Sequence, residues 1–402
     1  MKSHRIAGLV VLGLLVATLG RHATASFGIQ ANQPKGKAAE IPMFEYDPSW
    51  PKPLPNNWIT GNIGGMYIDS KDHIWVFHRP GTTTGNSERY GLTGEGECCF
   101  PAPPVLEFDM AGNLLQAWGA IHEPNGQLVG KQVWGPFPNV EWPRSEHGIF
   151  VDHKDNVWLS SEAEPSQILK FTRDGKFLMR IGKEQGKSSN DTTNLGGPAG
   201  MVVDPKTNEL YVADGYKNRR IIVFDADTGA YKRHWGAYGK PPADGPQHGS
   251  PSGAPVEEPS TFTQQFRLVH CVVESKDGLL YVCDRRNNRI QVFRPDGTFV
   301  KEGIIAPQSL GFGAVHTIAF SPDREQRFLY VADGANKKIW TLRRDDLSIL
   351  GSFGHGGRAG GQFILAHAIA TDSHGNIYLG ESIGNGRVQR FKFVGMRSST
   401  SH

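Results

Sequence analysis

Long hydrophobic runs are almost missing from these 402 residues. The one apolar stretch, residues 6–19, follows Lys2 and Arg5 and precedes Ala23-Thr24-Ala25. It is too short for a comfortable membrane span. A basic start, a short apolar middle and small residues at the end mark a secretory signal peptide cleaved after Ala25. Residues 1–25 are therefore expected to direct export, to the periplasm or beyond, and no membrane span is expected once they are removed. Residues 26–40 read as a flexible leader. Excess charge is missing too. The formal net charge is +3, and residues 1–25 carry Lys2, Arg5 and Arg21 with no acid, so the remainder is neutral. No basic excess is left to hold nucleic acid or anionic lipid. No stretch keeps helical periodicity, which excludes helical and α/β architectures.

Cysteine is scarce, with four in the chain. Cys271 and Cys283 fall on adjacent strands of one repeat and pair if the register sets them opposite each other. Cys98 and Cys99 are sequence neighbours, where a bridge strains the peptide. The expectation is that one pairs elsewhere or that both stay reduced. An exported chain permits either outcome.

What the chain does contain is a repeat. EHGIFVDHKDNVWLSS, VHCVVESKDGLLYVCDRR and AHAIATDSHGNIYLGES share one pattern: His, an apolar strand, an Asp/Gly turn, and a second strand ending in a polar residue. Three further copies put Gly64, Ala199 and His316 in the slot filled elsewhere by His147, His270 and His367. The six slots stand 83, 52, 71, 46 and 51 residues apart. The shorter spacings match the roughly 40–50 residues of a four-stranded propeller blade. The longer ones hold inserts, at residues 82–104, 121–144 and 240–261, the last rich in Pro, Gly and Ser and expected to lack regular structure. The expected fold is all-β: a six-bladed β-propeller over residues 41–395, its blades similar to NHL repeats, with 396–402 a disordered tail.

In such a ring the slot residues surround the channel mouth, and alternate blades stand about 120° apart. Blades two, four and six thus bring His147, His270 and His367 to one point, with an axial position left open. That is the donor set of a catalytic zinc site. A lone His at a strand start is usually a hydrogen-bonded or solvated side chain; three in alternate blades argue for an ion. Cys271 is not expected to join them, because it follows His270 on a strand and points to the other face. His316 adds a fourth imidazole at the mouth, open to substrate binding, metal binding or neither.

The stretch from blade two to blade six resembles the peptidyl-α-hydroxyglycine α-amidating lyase (peptidylamidoglycolate lyase) family. The resemblance rests on the three His contexts, on Asp214-Gly215-Tyr216-Lys217-Asn218-Arg219-Arg220-Ile221, on Asp284-Arg285 through Phe293, and on Phe77-His78-Arg79. It covers most of residues 60–393. It implies a six-bladed propeller whose zinc is held by His147, His270 and His367. It also implies a small-molecule or peptide substrate ending in an α-hydroxyglycine-like group, which is split into an amide and glyoxylate. Tyr216 would be the general base, acting as phenolate. Its ordinary pKa of about 10 must then be lowered by the metal or by a neighbouring cation. Arg79 and Arg285 are the cations, and a guanidinium also grips a carboxylate bidentately. The bland alternatives are a Tyr covering a blade edge and arginines paired with a nearby Asp. Ala368 stands where the family has an Asp that helps to bind structural calcium beside carbonyls at positions matching Met66 and Ile149. Loss of the only carboxylate weakens a hard-cation site and puts calcium in doubt. Lys217 and Tyr281 replace cysteines of the family's disulfides. Two other readings fit the same residues: an exported metal-dependent hydrolase on this scaffold, and a non-catalytic NHL propeller that binds a partner.

Overall fold

The computed structural model describes residues 40–398 except 84–97, 123–127, 135–139, 185, 187, 245–263 and 385. The signal peptide, most of the leader, residues 399–402 and most of the 240–261 insert lie outside the described residues.

Among the described residues there is no α-helix, and the strands form six blades. The innermost strands are Asn62–Ile68, Glu146–Val151, Pro198–Asp204, Val269–Glu274, Thr317–Phe320 and Ala366–Thr371. Each is followed by antiparallel neighbours in sequence order, as alternating strands joined by short turns require. Every innermost strand touches those of the two adjoining blades, blade six against blade one included, so the ring is closed. The chain is therefore a six-bladed β-propeller, as the repeat implies.

The outermost strand of blade six comes from the other end of the chain. Glu40–Asp47 runs antiparallel to Val388–Ser398, with Glu40 opposite Ser398 and Asp47 opposite Arg390. Backbone pairing and the Asp47 carboxylate on Arg390 Nε (2.7 Å) close the ring. The last strand thus runs three residues beyond the expected boundary at 395. Blade one carries an additional strand, Leu128–Trp134, inside the stretch read as an insert.

The repeated Asp has a physical task. In blade two the Asp152 carboxylate accepts the N–H groups of Lys154 and Asn156, and Trp158 Nε1–H at 2.8 Å. It closes the turn and satisfies the indole of a fully buried Trp. Close approach of the innermost strands demands glycine at Gly64 and at Gly148, next to the His147 slot. A Cβ on Gly64 would stand 2.3 Å from the Glu146 carbonyl, and one on Gly148 would stand 2.1 Å from that of Ala199.

A buried carboxylate ends the second strand of several blades and organises the loop beyond. Asp214 meets Arg220 Nε at 2.9 Å with both side chains fully buried, and Asp284 meets Arg289 Nε at 2.7 Å. Asp214 also accepts the Gly196 N–H and the Asn218 amide, which fixes the loop carrying Tyr216. Asp214→Ala leaves the Arg220 guanidinium buried without its counter-charge, so stability should fall by about 3–5 kcal/mol. Denaturant midpoints of the two proteins measure this, and a shift below about 1 kcal/mol would show that the carbonyls around Arg220 suffice.

The cysteines differ from expectation in part. Cys271 lies opposite Cys283 in register and is bonded to it. Cys98 and Cys99 are bonded to each other, whereas a separate partner or two free thiols was expected. With the other pair joined, no further cysteine of this chain is left to accept either one.

Candidate metal centre

His147, His270 and His367 lie on the innermost strands of blades two, four and six, each under 5% exposed. Their ring centroids stand 4.8, 5.1 and 4.9 Å apart, and one ligand nitrogen from each falls within 4.8 Å of the others. A zinc–nitrogen distance of about 2.0–2.1 Å draws such nitrogens slightly closer still. The set brought together is the one the repeat points to.

Each imidazole is oriented by the blade after its own. His270 Nδ1 donates to the His316 carbonyl at 2.7 Å. His147 is bonded to the Ala199 carbonyl. His367 is turned toward the backbone of Gly64, although its Nδ1 stops short of a well-formed hydrogen bond there. The slots without a ligand histidine thus supply the backbone that aims the histidines, as outer-shell partners do around metals. A proton fixed on Nδ1 leaves Nε2 with a lone pair directed inward.

Those lone pairs meet a second set of side chains, each within two residues of the end of its blade's second strand: Arg79, Glu162, Tyr216 and Arg285. The Tyr216 hydroxyl lies 2.8 Å from His147 Nε2 and 3.3 Å from His270 Nε2. Glu162 Oε2 lies 3.6 Å from His147 Nε2 and has no hydrogen-bond partner. The single phenolic proton cannot serve both ligand nitrogens that the hydroxyl faces, so at least one Nε2 lone pair stays available. The donor set fits a divalent ion.

Electrostatics agree. Burial, aided by neighbouring imidazole and guanidinium charges, pushes His147 and His270 well below the ordinary imidazole range, and burial pushes His367 to about 3. All three stay neutral, as ligands must. Burial drives the Tyr216 phenol upward and the Glu162 charge adds to this; Arg285 and Arg79 oppose it without prevailing. Neighbouring cations alone therefore do not give the phenolate the sequence reading called for.

The two arginines are in different states. Arg79 binds Glu162 at 2.9 Å and donates its Nε–H to the Glu146 carbonyl at 2.7 Å. Arg285 donates its Nε–H to the Phe312 carbonyl at 2.6 Å and touches the Tyr216 hydroxyl. Among the described residues it has no carboxylate at ion-pair distance. Asp284 pairs with Arg289 and not with Arg285. Sequence reasoning missed Glu162. It lies one residue past the end of the blade-two copy of the repeat, yet it shares its place in the blade with Arg79, Tyr216 and Arg285.

His316 is fully buried in blade five, its ring centroid 5.5 and 5.8 Å from those of His270 and His367, and the ligand-distance set does not include it. On the other side of the histidines a cavity of about 520 Å³ follows the axis past Met66, Ile149 and Ala368 toward Asp72 and Ser373. Met66, Ile149 and Ala368, the positions where calcium was in doubt, line this cavity. A second acidic cluster, Asp69, His73 and Glu107, is bridged by the Arg173 guanidinium and serves as a latch between blades one and two.

Comparison with known proteins shows what the chain as a whole is similar to. Residues 266–293 match the NHL repeat model. Peptidyl-glycine alpha-amidating monooxygenase B of Xenopus laevis is 25% identical over 363 residues, 88% of this chain and 36% of that protein. Peptidyl-alpha-hydroxyglycine alpha-amidating lyase 1 of Drosophila melanogaster is 26% identical over 64% of this chain and 41% of its own length. The chain spans about a third of the length of the amidating monooxygenases it matches. A solved streptogramin B lyase, 11% identical, covers 87% of this chain and 97% of that one with a TM-score of 0.46. Repeat, six blades and relatives at about 25% identity make the chain similar to NHL-repeat propellers and to the peptidyl-α-hydroxyglycine α-amidating lyases.

Proposed function

We propose that this protein is an exported, zinc-dependent lyase that cleaves peptidyl-α-hydroxyglycine-type carbinolamides to an amide and glyoxylate. The observation that carries the reading is the convergence of three neutral imidazoles on one point with a tyrosine hydroxyl between two of them. Lyase relatives support a small substrate of this kind.

His147, His270 and His367 would hold the ion, which when bound acidifies a nearby hydroxyl and offsets the developing negative charge. The rest is the work of the chain. The α-hydroxyl proton passes to the Tyr216 oxygen. The electron pair it leaves forms the carbonyl of glyoxylate, the C–N bond breaks, and the nitrogen takes that proton back from Tyr216 to complete the amide and restore the base. Arg285, with no carboxylate at ion-pair distance among the described residues, grips the substrate carboxylate. Arg79, tied to Glu162, holds that acid beside His147 and so sets the charge around the phenol. Burial excludes water and strengthens each of these contacts.

The test is glyoxylate release from α-hydroxyhippurate by purified protein, before and after chelation and after zinc is restored. Release that disappears with the metal and returns with zinc is expected. Metal-loaded protein that yields no glyoxylate would sink the lyase reading and favour a metal-dependent hydrolase on the same scaffold. For export, the mature N-terminus is expected at Ser26, which mass spectrometry of the protein from its native host reads directly.

A further inference from the structure

Four blades place Arg79, Glu162, Tyr216 and Arg285 at or just beyond the ends of their second strands; blade five places Gly334 there. The vacant side-chain position is filled by the imidazole of His316 from the same blade. A Cβ on Gly334 would stand 2.5 Å from His316 Cε1 and 2.7 Å from Nε2, so only glycine lets the ring lie there. The Gly334 N–H donates to His316 Nδ1 at 3.3 Å. A nitrogen that accepts a backbone hydrogen bond carries no proton, so the ring proton sits on Nε2. That Nε2 is buried and has no hydrogen-bond partner.

An unpaired buried donor is costly and rarely kept without a use. Metal binding does not explain this one, since a protonated Nε2 has no lone pair to give and the ring lies outside the ligand-distance set. Its surroundings point elsewhere. The Arg285 guanidinium is anchored on the Phe312 carbonyl, in the segment that leads into His316, and its charge is felt at the His316 ring. Among the described residues, a charged donor with no carboxylate at ion-pair distance and a neutral donor with no acceptor thus flank one side of the metal centre.

We infer that His316, through its unpaired Nε2–H beside Gly334, joins Arg285 in binding the carboxylate of the substrate. This rests on the lyase reading for the identity of the acid, though not for the existence of the carboxylate site. The pair suits a planar, two-oxygen anion better than a single arginine does, because it brings donors from two directions.

Hippurate, which has the carboxylate but no α-hydroxyl, and its methyl ester are titrated into the metal-loaded protein by calorimetry. Hippurate is expected to bind wild type, with His316→Phe raising its Kd about tenfold and the ester unaffected by the change. His316→Gln, which keeps a donor at similar reach, should restore most of the affinity. Gly334→Ala, whose Cβ displaces the ring, should match His316→Phe and stands in for it if that variant does not fold. An unchanged hippurate Kd in His316→Phe and Gly334→Ala, with fold and metal content intact, overturns the inference. Equal losses for acid and ester, or no hippurate binding by wild type, overturn it as well. In the same proteins, glyoxylate release from α-hydroxyhippurate separates the two readings. Binding that depends on His316 without any release sinks the lyase and leaves the carboxylate site. Normal release with KM unchanged in His316→Phe sinks the carboxylate site alone.

Discussion

His270→Ala is expected to abolish metal retention and to reduce glyoxylate release to that of the chelated protein. His270 is the middle member of the set, 4.8 Å from the His147 ring and 4.9 Å from that of His367. Its removal leaves two imidazoles and an open side, too few for a tetrahedral catalytic site that needs three protein ligands. The fold should survive. The side chain makes a hydrogen bond to the His316 carbonyl and a longer one to the Tyr216 hydroxyl, a loss of about 1–2 kcal/mol. Metal stoichiometry after dialysis, read beside the thermal midpoint, checks both halves. Retained metal at wild-type stoichiometry would show that the three imidazoles do not cage an ion, and the proposed chemistry would go with it. Loss of metal together with collapse of the fold would instead make the ion structural.

The slot histidines were legible because the repeat writes them at one position of a unit whose strands are plain in the apolar pattern. Glu162 was in the same position class as Arg79, Tyr216 and Arg285. It went unnoticed because SSEAEPS has no local signature of a site, whereas DGY and DRR do. The strand Glu40–Asp47 could not be placed from sequence. Its partner, Val388–Ser398, lies more than three hundred residues away, and nothing in EIPMFEYD names it. The orientation of the ligands was hidden for a different reason. Their anchors are the backbone of Ala199, His316 and Gly64, and a carbonyl looks alike under any side chain. The unlike states of the two arginines follow from that missed acid: Glu162 pairs with Arg79, and Arg285 has no carboxylate at ion-pair distance among the described residues.

Tyr216→Phe is expected to lower glyoxylate release by about 10²–10⁴-fold, the usual share of a positioned general base. It should do so with metal content unchanged. The change removes one oxygen and keeps the ring that packs 5.2 Å from His147 and 6.0 Å from His270. Metal retention could even tighten, because the hydroxyl now occupies the Nε2 lone pairs of two ligand histidines at 2.8 and 3.3 Å. The phenol also makes a prediction about dependence on the ion. Burial and Glu162 hold it protonated, and Arg79 and Arg285 do not overcome them. Only an added positive charge in the centre shifts it toward phenolate. The ultraviolet difference spectrum of zinc-loaded against chelated protein should therefore show tyrosinate that is absent from Tyr216→Phe. An identical spectrum in wild type and variant, or full turnover by the variant, would remove Tyr216 from the proton transfer. Glu162, whose free oxygen lies 3.6 Å from His147, would then be the base to test.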